Sequence, residues 1–162
     1  MKLQVLHSPN QNARPTGERP KVIVLHADVS ATAQASAAWL MRPTTQASYH
    51  YLIERDGGVT QLVKPAMRAW HAGKSEFFGQ QNVNDFSIGL CFSNLQNGVE
   101  PFTQKALDTG VELLVPLMKE YDIGLECVTT HEAVARPLGR KSDPSPLFPL
   151  AQFLTALRKR LQ

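Results

Sequence analysis

Five histidines occur in the 162-residue chain, and two stand where a catalytic site can be built. His26 closes the apolar run at residues 21–26 (KVIVLH), and His131 directly follows the short apolar run at 128–130. The crevice beyond strand ends is where open α/β sheets bind ligands. Asp143 lies in Arg140-Lys141-Ser142-Asp143-Pro144-Ser145-Pro146, a stiff stretch that holds one carboxylate between a cation and two prolines. Two imidazoles and a carboxylate, with a fourth position left to water, form the donor set of a hydrolytic zinc site rather than a closed structural one. Each residue also has a plainer reading. A histidine at a strand end is commonly a hydrogen-bonded surface group, and an aspartate before proline is commonly a turn residue.

Other chemistries find less support. The chain has no CxxC, HExxH or EF-hand loop, and neither a phosphate loop nor GxGxxG. The GxSxG of serine hydrolases is missing too. Cys91 beside a histidine could act as a nucleophile, but a thiol within an apolar strand is ordinarily inert.

The elements that must position these residues read as a mixed α/β order. Residues 1–20 hold three prolines among Asn, Gln, Thr and Gly, and form an extended arm ahead of a domain at 21–162. Residues 21–26 are a β-branched strand buried on both faces. Ser30 is a candidate N-cap for an Ala-rich helix ending near Met41, anchored by Trp39 and Leu40 and stopped by Pro43. Residues 48–54 and 59–63 flank Arg55-Asp56-Gly57-Gly58, a hairpin signal. By strand alternation His50 faces away from Tyr49 and is structural, while His7 is a surface group. Residues 64–85 lack any period and read as a long functional loop. A strand at 86–93, a helix at 103–121 kinked at Pro116, a strand at 128–130 and a helix at 150–161 complete the order. The expected architecture is one domain, a central mixed sheet flanked by helices.

Composition bounds the partners. At 43% hydrophobic and 19% charged residues the chain is globular, which excludes disordered and fibrous classes. The net charge of +3 is supplied by Arg158, Lys159 and Arg160, which suit a helix C-terminus. No basic stripe is left for nucleic acid. Cys91 and Cys127 read as two buried thiols in strands, without a disulfide framework. No apolar stretch approaches a membrane span or a signal-peptide core, so the expected product is a cytoplasmic monomer as synthesised, and any action outside the cell would need lysis or signal-independent secretion.

The segments VIVLH, SYHYLIERDG, AWHAG, NDFSIGL and HEAVARPLGRKSDPSPLF, in this order and spacing, resemble the zinc-dependent N-acetylmuramoyl-L-alanine amidases of the peptidoglycan-recognition and phage-lysozyme type. The likeness covers residues 21–157. It implies one Zn2+ per chain on His26, His131 and Asp143, with Lys141 and Tyr49 catalytic. It also implies Trp70, His71, Asn84 and Arg140 in contact with a peptidoglycan or muropeptide substrate. Relatives of the bacterial branch carry a basic glutamate in an IGIE pattern, whereas this chain reads Ile88-Gly89-Leu90-Cys91. Relatives that recycle anhydro-muropeptides carry an arginine where Gln80, Gln81 and Asn82 stand here.

The expected function is hydrolysis of the bond between N-acetylmuramic acid and L-alanine, on the intact wall in preference to recycled fragments. A non-catalytic peptidoglycan-binding module and a regulatory protein binder with structural zinc are the rival classes.

Overall fold

The β-branched runs become the centre of a sheet. In the computed structural model, which describes residues 2–162, the strands are β1 (Leu3–Val5), β2 (Gln11–Ala13), β3 (Val22–Asp28), β4 (Tyr51–Ile53) and β5 (Val59–Gln61), followed by β6 (Met67–Ala69), β7 (Glu76–Phe77), β8 (Gln80–Gln81), β9 (Ser87–Ser93) and β10 (Val128–Thr130). The helices are α1 (Ala33–Leu40), α2 (Gln104–Tyr121), the short α3 (His131–Val134) and α4 (Leu150–Leu161). The main sheet has the order β1-β5-β4-β9-β3-β10. Its pairs are parallel except for β4 with β5, the hairpin the sequence signals.

Side-chain alternation along β3 and β9 sorts the two faces. Ile23 and Leu25 of β3, with Ile88, Leu90 and Phe92 of β9, enter the larger core beneath α2 and α4. Each fully buried Leu, Ile or Phe there contributes about 1.5–3 kcal/mol. The opposite parity, Val22, Val24, His26 and Asp28 beside Ser87, Gly89, Cys91 and Ser93, faces α1 and the loop that follows β5. One face therefore holds the fold and the other is free to carry polar chemistry.

Helix α2 starts at Thr103, whose Oγ1 accepts from Ala106 N at 3.2 Å, and buries Val111, Leu114, Leu117 and Met118. It continues through Pro116 because that residue lies on the exposed side, where the carbonyl it leaves unpaired meets water. Arg158, Lys159 and Arg160 occupy the exposed last turn of α4, as expected.

Several local readings are corrected. Thr32 rather than Ser30 caps α1, accepting from Ala35 N at 3.1 Å. Leu40 is buried, but Trp39 is 54% exposed and anchors nothing. Residues 64–85 contain β6, β7 and β8, strands too short to leave a periodic signal. Cys127 ends a 3-10 turn and is only half-buried, not a strand thiol. The N-terminal segment contributes β1 to the main sheet and β2 as partner of β6. Its Arg14 donates to the carbonyls of Pro65, Asn84, Asp85 and Ser87, stitching the segment beneath the site. Among the described residues no helix is long and apolar enough to cross a membrane.

Candidate active site

Register brings the two predicted imidazoles together. β10 pairs with β3 so that Thr130 lies beside Leu25, and the next residue, His131, arrives beside His26. Their ring centroids are 4.5 Å apart. Thr130 caps α3 by accepting from Ala133 N at 3.2 Å, turning the chain and burying His131. Asp143 is anchored by its own backbone, whose carbonyl accepts from Glu132 N at 3.0 Å. His26, His131 and Asp143 each offer one ligand atom, all within 4.8 Å of one another.

The atoms facing inward are ones that can ligate a cation. His26 Nδ1 and Asp143 Oδ2 stand 3.3 Å apart, and neither has a hydrogen-bond partner among the described residues. His131 Nε2 lies 3.3 Å from Ala72 O, and its Nδ1 lies 2.9 Å from Asp143 Oδ1. Burial keeps His26 neutral, its pKa pushed down to about 4. Burial alone would raise Asp143, but His131 and then His26 outweigh it and hold the carboxyl below its usual range. Lone pairs of buried groups aimed at one another are costly unless a cation lies between them.

Beside this cluster opens a cleft of about 600 Å³, whose lining includes Asp28, Trp39, Tyr49, Arg140, Lys141 and Asp143. The Tyr49 ring centroid is 4.9 Å from that of His26, and burial raises its pKa well above the usual value, so the hydroxyl keeps its proton. Lys141 is exposed at the wall. Arg140 Nη2 donates to Ala72 O at 2.9 Å and Lys74 O at 2.8 Å, clamping the loop after β6 to the segment that carries Asp143.

Three residues expected to touch substrate do other work. His71 is 7% exposed, with Nδ1 2.9 Å from His26 Nε2 and Nε2 3.0 Å from Ser87 Oγ. Asn84 is equally buried, its Oδ1 accepting from His71 N at 3.0 Å and Ala72 N at 2.8 Å. Trp70 lies outside the cleft and donates Nε1–H to Asn12 Oδ1 at 2.6 Å. The tryptophan at the cleft is Trp39. His50 shares the site side with Tyr49 because β4 begins only at Tyr51. Its ring centroid is 5.7 Å from that of His71, and its Nδ1 accepts from Gly89 N at 2.9 Å.

Asp28 escaped the sequence reading. Its Oδ1 stands 3.4 Å from Asn94 N, its Oδ2 has no partner, and burial pushes its pKa up to about 7. The signal was available, since position 28 shares the parity of His26 on one strand. Cys91 is fully buried beneath the floor, where burial raises its thiol pKa, and it does not line the cleft.

Comparison with known proteins identifies the family. The 1,6-anhydro-N-acetylmuramyl-L-alanine amidase AmpD of Enterobacter cloacae is 30% identical over 90% of this chain and 85% of its own length. The crystal structure of an AmpD selenomethionine derivative superposes with a TM-score of 0.82 at 26% identity, covering 99% of this chain and 95% of that one. AmiD from E. coli, solved with anhydro-N-acetylmuramic acid-L-Ala-D-γ-Glu-L-Lys, gives a TM-score of 0.75 at 30% identity over 88% of this chain and 60% of that one. A family model described as N-acetylmuramoyl-L-alanine amidase matches residues 16–146, which span every residue of the cluster, and the chain belongs to that family of amide hydrolases.

Proposed function

We propose that the cleft binds soluble muropeptides and hydrolyses the amide between the lactyl group of N-acetylmuramic acid and L-alanine, at one zinc held by His26, His131 and Asp143. The observation that carries the metal reading is the set of buried acceptor atoms, His26 Nδ1 and Asp143 Oδ2, left without partners at the cleft floor. Two imidazoles and one carboxylate suit zinc with an open position. Zinc, when bound, supplies a polarised scissile carbonyl and a more acidic water.

The chain's own groups do the rest. The Lys141 ammonium, at the open wall, balances charge developing on the carbonyl oxygen. The Tyr49 hydroxyl, kept protonated by burial, is a neutral donor close to His26. Trp39 offers an exposed indole to the apolar face of the sugar or peptide. Arg140 keeps the Asp143 segment in place through Ala72 and Lys74.

Similarity to AmpD across nearly the whole chain supports a muropeptide substrate. A second reading, attack on the intact wall, is favoured by neutral Gln80, Gln81 and Asn82. Against it, Gln80 bonds Glu18 on the β7–β8 hairpin, outside the cleft lining. The test is mass spectrometry of products from purified anhydro-muropeptides and from intact sacculi, alongside zinc analysis. Rapid release of stem peptides with a new L-alanine amino group from the soluble substrate alone is the expected result. Solubilised sacculi would establish the wall-lytic reading, and no zinc uptake by a zinc-supplied sample would overturn the metal assignment. Chelation should abolish activity while the fold persists, because the larger core lies on the other face of the sheet.

A further inference from the structure

We propose that His71 is a positioning residue for the metal centre: with Ser87 it forms a buried relay that fixes which nitrogen of His26 is free to bind the cation. The proposal rests on the metal-site reading above.

The geometry runs through three side chains. His26 turns Nδ1 toward Asp143 and Nε2 toward His71 Nδ1, at 2.9 Å. For His26 Nδ1 to present a lone pair, Nε2 must carry the ring proton, and the atom placed to accept it is His71 Nδ1. His71 must then carry its own proton on Nε2, which lies 3.0 Å from Ser87 Oγ. A serine hydroxyl accepts as readily as it donates, so the relay ends in a group that satisfies this direction. Ligating histidines characteristically depend on such a partner for tautomer and ring orientation. Here the partner is a second imidazole rather than a carboxylate, which adds no further negative charge to the floor.

The surroundings are built around that ring. Asn84 Oδ1 holds the His71 and Ala72 backbone N–H groups. Position 89, directly under the ring, is glycine, and a Cβ there would lie 2.6 Å from His71 Cγ and 2.8 Å from its Cδ2 and Nδ1. His71 is buried and does not line the cleft, so the close packing serves the contact with His26.

Zinc affinity measured by competition with a chelator tests the relay. His71→Ala should weaken zinc binding about 10–100-fold. His71→Asn, whose side-chain oxygen can replace Nδ1 as acceptor, should recover part of that loss. In the zinc-loaded wild type, nitrogen-15 NMR should find both His26 and His71 protonated on Nε2, a readout independent of any variant's folding. Affinity of His71→Ala within twofold of wild type, or His71 protonated on Nδ1 in the loaded protein, would overturn the relay. Wild type that takes up no zinc would instead remove the metal site itself, a distinguishable failure.

Discussion

Replacing Gly89 with alanine probes the proposed metal centre from beneath without deleting any polar group. Gly89 lies mid-strand in β9, where alanine is conformationally ordinary, so the effect is steric. The strand has little room to move, since Gly89 N donates to His50 Nδ1 and its carbonyl accepts from His50 N. The His71 ring must therefore retreat by about 0.8 Å to turn a 2.6 Å approach into an ordinary 3.4 Å contact. A displacement of that size along the 2.9 Å bond to His26 would carry it out of hydrogen-bonding range. Zinc affinity should fall about 10–100-fold, equivalent to about 1.4–2.8 kcal/mol. Overpacking should cost a further 1–3 kcal/mol or so of stability, roughly 2–12 °C in Tm for a domain of this size. Gly110→Ala is the control, because its Cβ would lie 2.8 Å from Phe92 Cζ on the far face of the sheet. It should lower Tm comparably and leave zinc affinity unchanged. Chelator competition and thermal melts of the three proteins decide the matter, and a Gly89→Ala protein with wild-type zinc affinity would refute the steric argument.

Activity assays separate the remaining roles. Lys141→Ala and Tyr49→Phe should each lower kcat on the order of 10²-fold with zinc content intact, the scale of a lost transition-state donor. Cys91→Ser should keep most activity, since the thiol lies under the floor and outside the cleft; inactivity with zinc and fold retained would make Cys91 a participant. Trp39→Ala should raise KM with little change in kcat. Trp70→Phe should leave KM alone and cost about 0.5–1.5 kcal/mol of stability through its lost bond to Asn12. A reversed pattern for the two tryptophans would place the substrate elsewhere.

What could be read from the sequence follows from how far each signal reaches along the chain. The hairpin around Gly57 and Gly58 and the apolar runs leading to His26 and His131 are local patterns; β3 runs two residues past the expected end at His26, to Asp28, and the parallel register of β10 on β3 makes the two histidines neighbours. Side-chain direction on loops carries no such period. Trp70, His71 and Asn84 lie in the stretch expected to form a functional loop, yet their orientation depends on Asn12, His26 and backbone groups distant in sequence. Trp39, beside Leu40, reads from sequence as an anchor of α1. Its indole is left outside where Ala33, Ser36, Ala37 and Leu40 supply the buried stripe of α1.

The division of labour between the faces of the sheet explains why a polar site this crowded is tolerated. Four histidines, His26, His50, His71 and His131, are buried close together, and burial lowers the pKa of the first three, so they contribute hydrogen bonds rather than mutually repelling charges. Three of the four have a backbone or serine partner: Gly89 N on His50, Ser87 Oγ on His71 and Ala72 O on His131. His26 alone turns a nitrogen inward without one. A buried polar network is stable only when its members are satisfied, so the unsatisfied nitrogen marks where the network is completed by something from outside the chain. The aromatic and aliphatic core under α2 and α4 is indifferent to that completion. The fold can therefore hold the cluster in place whether or not a cation is bound.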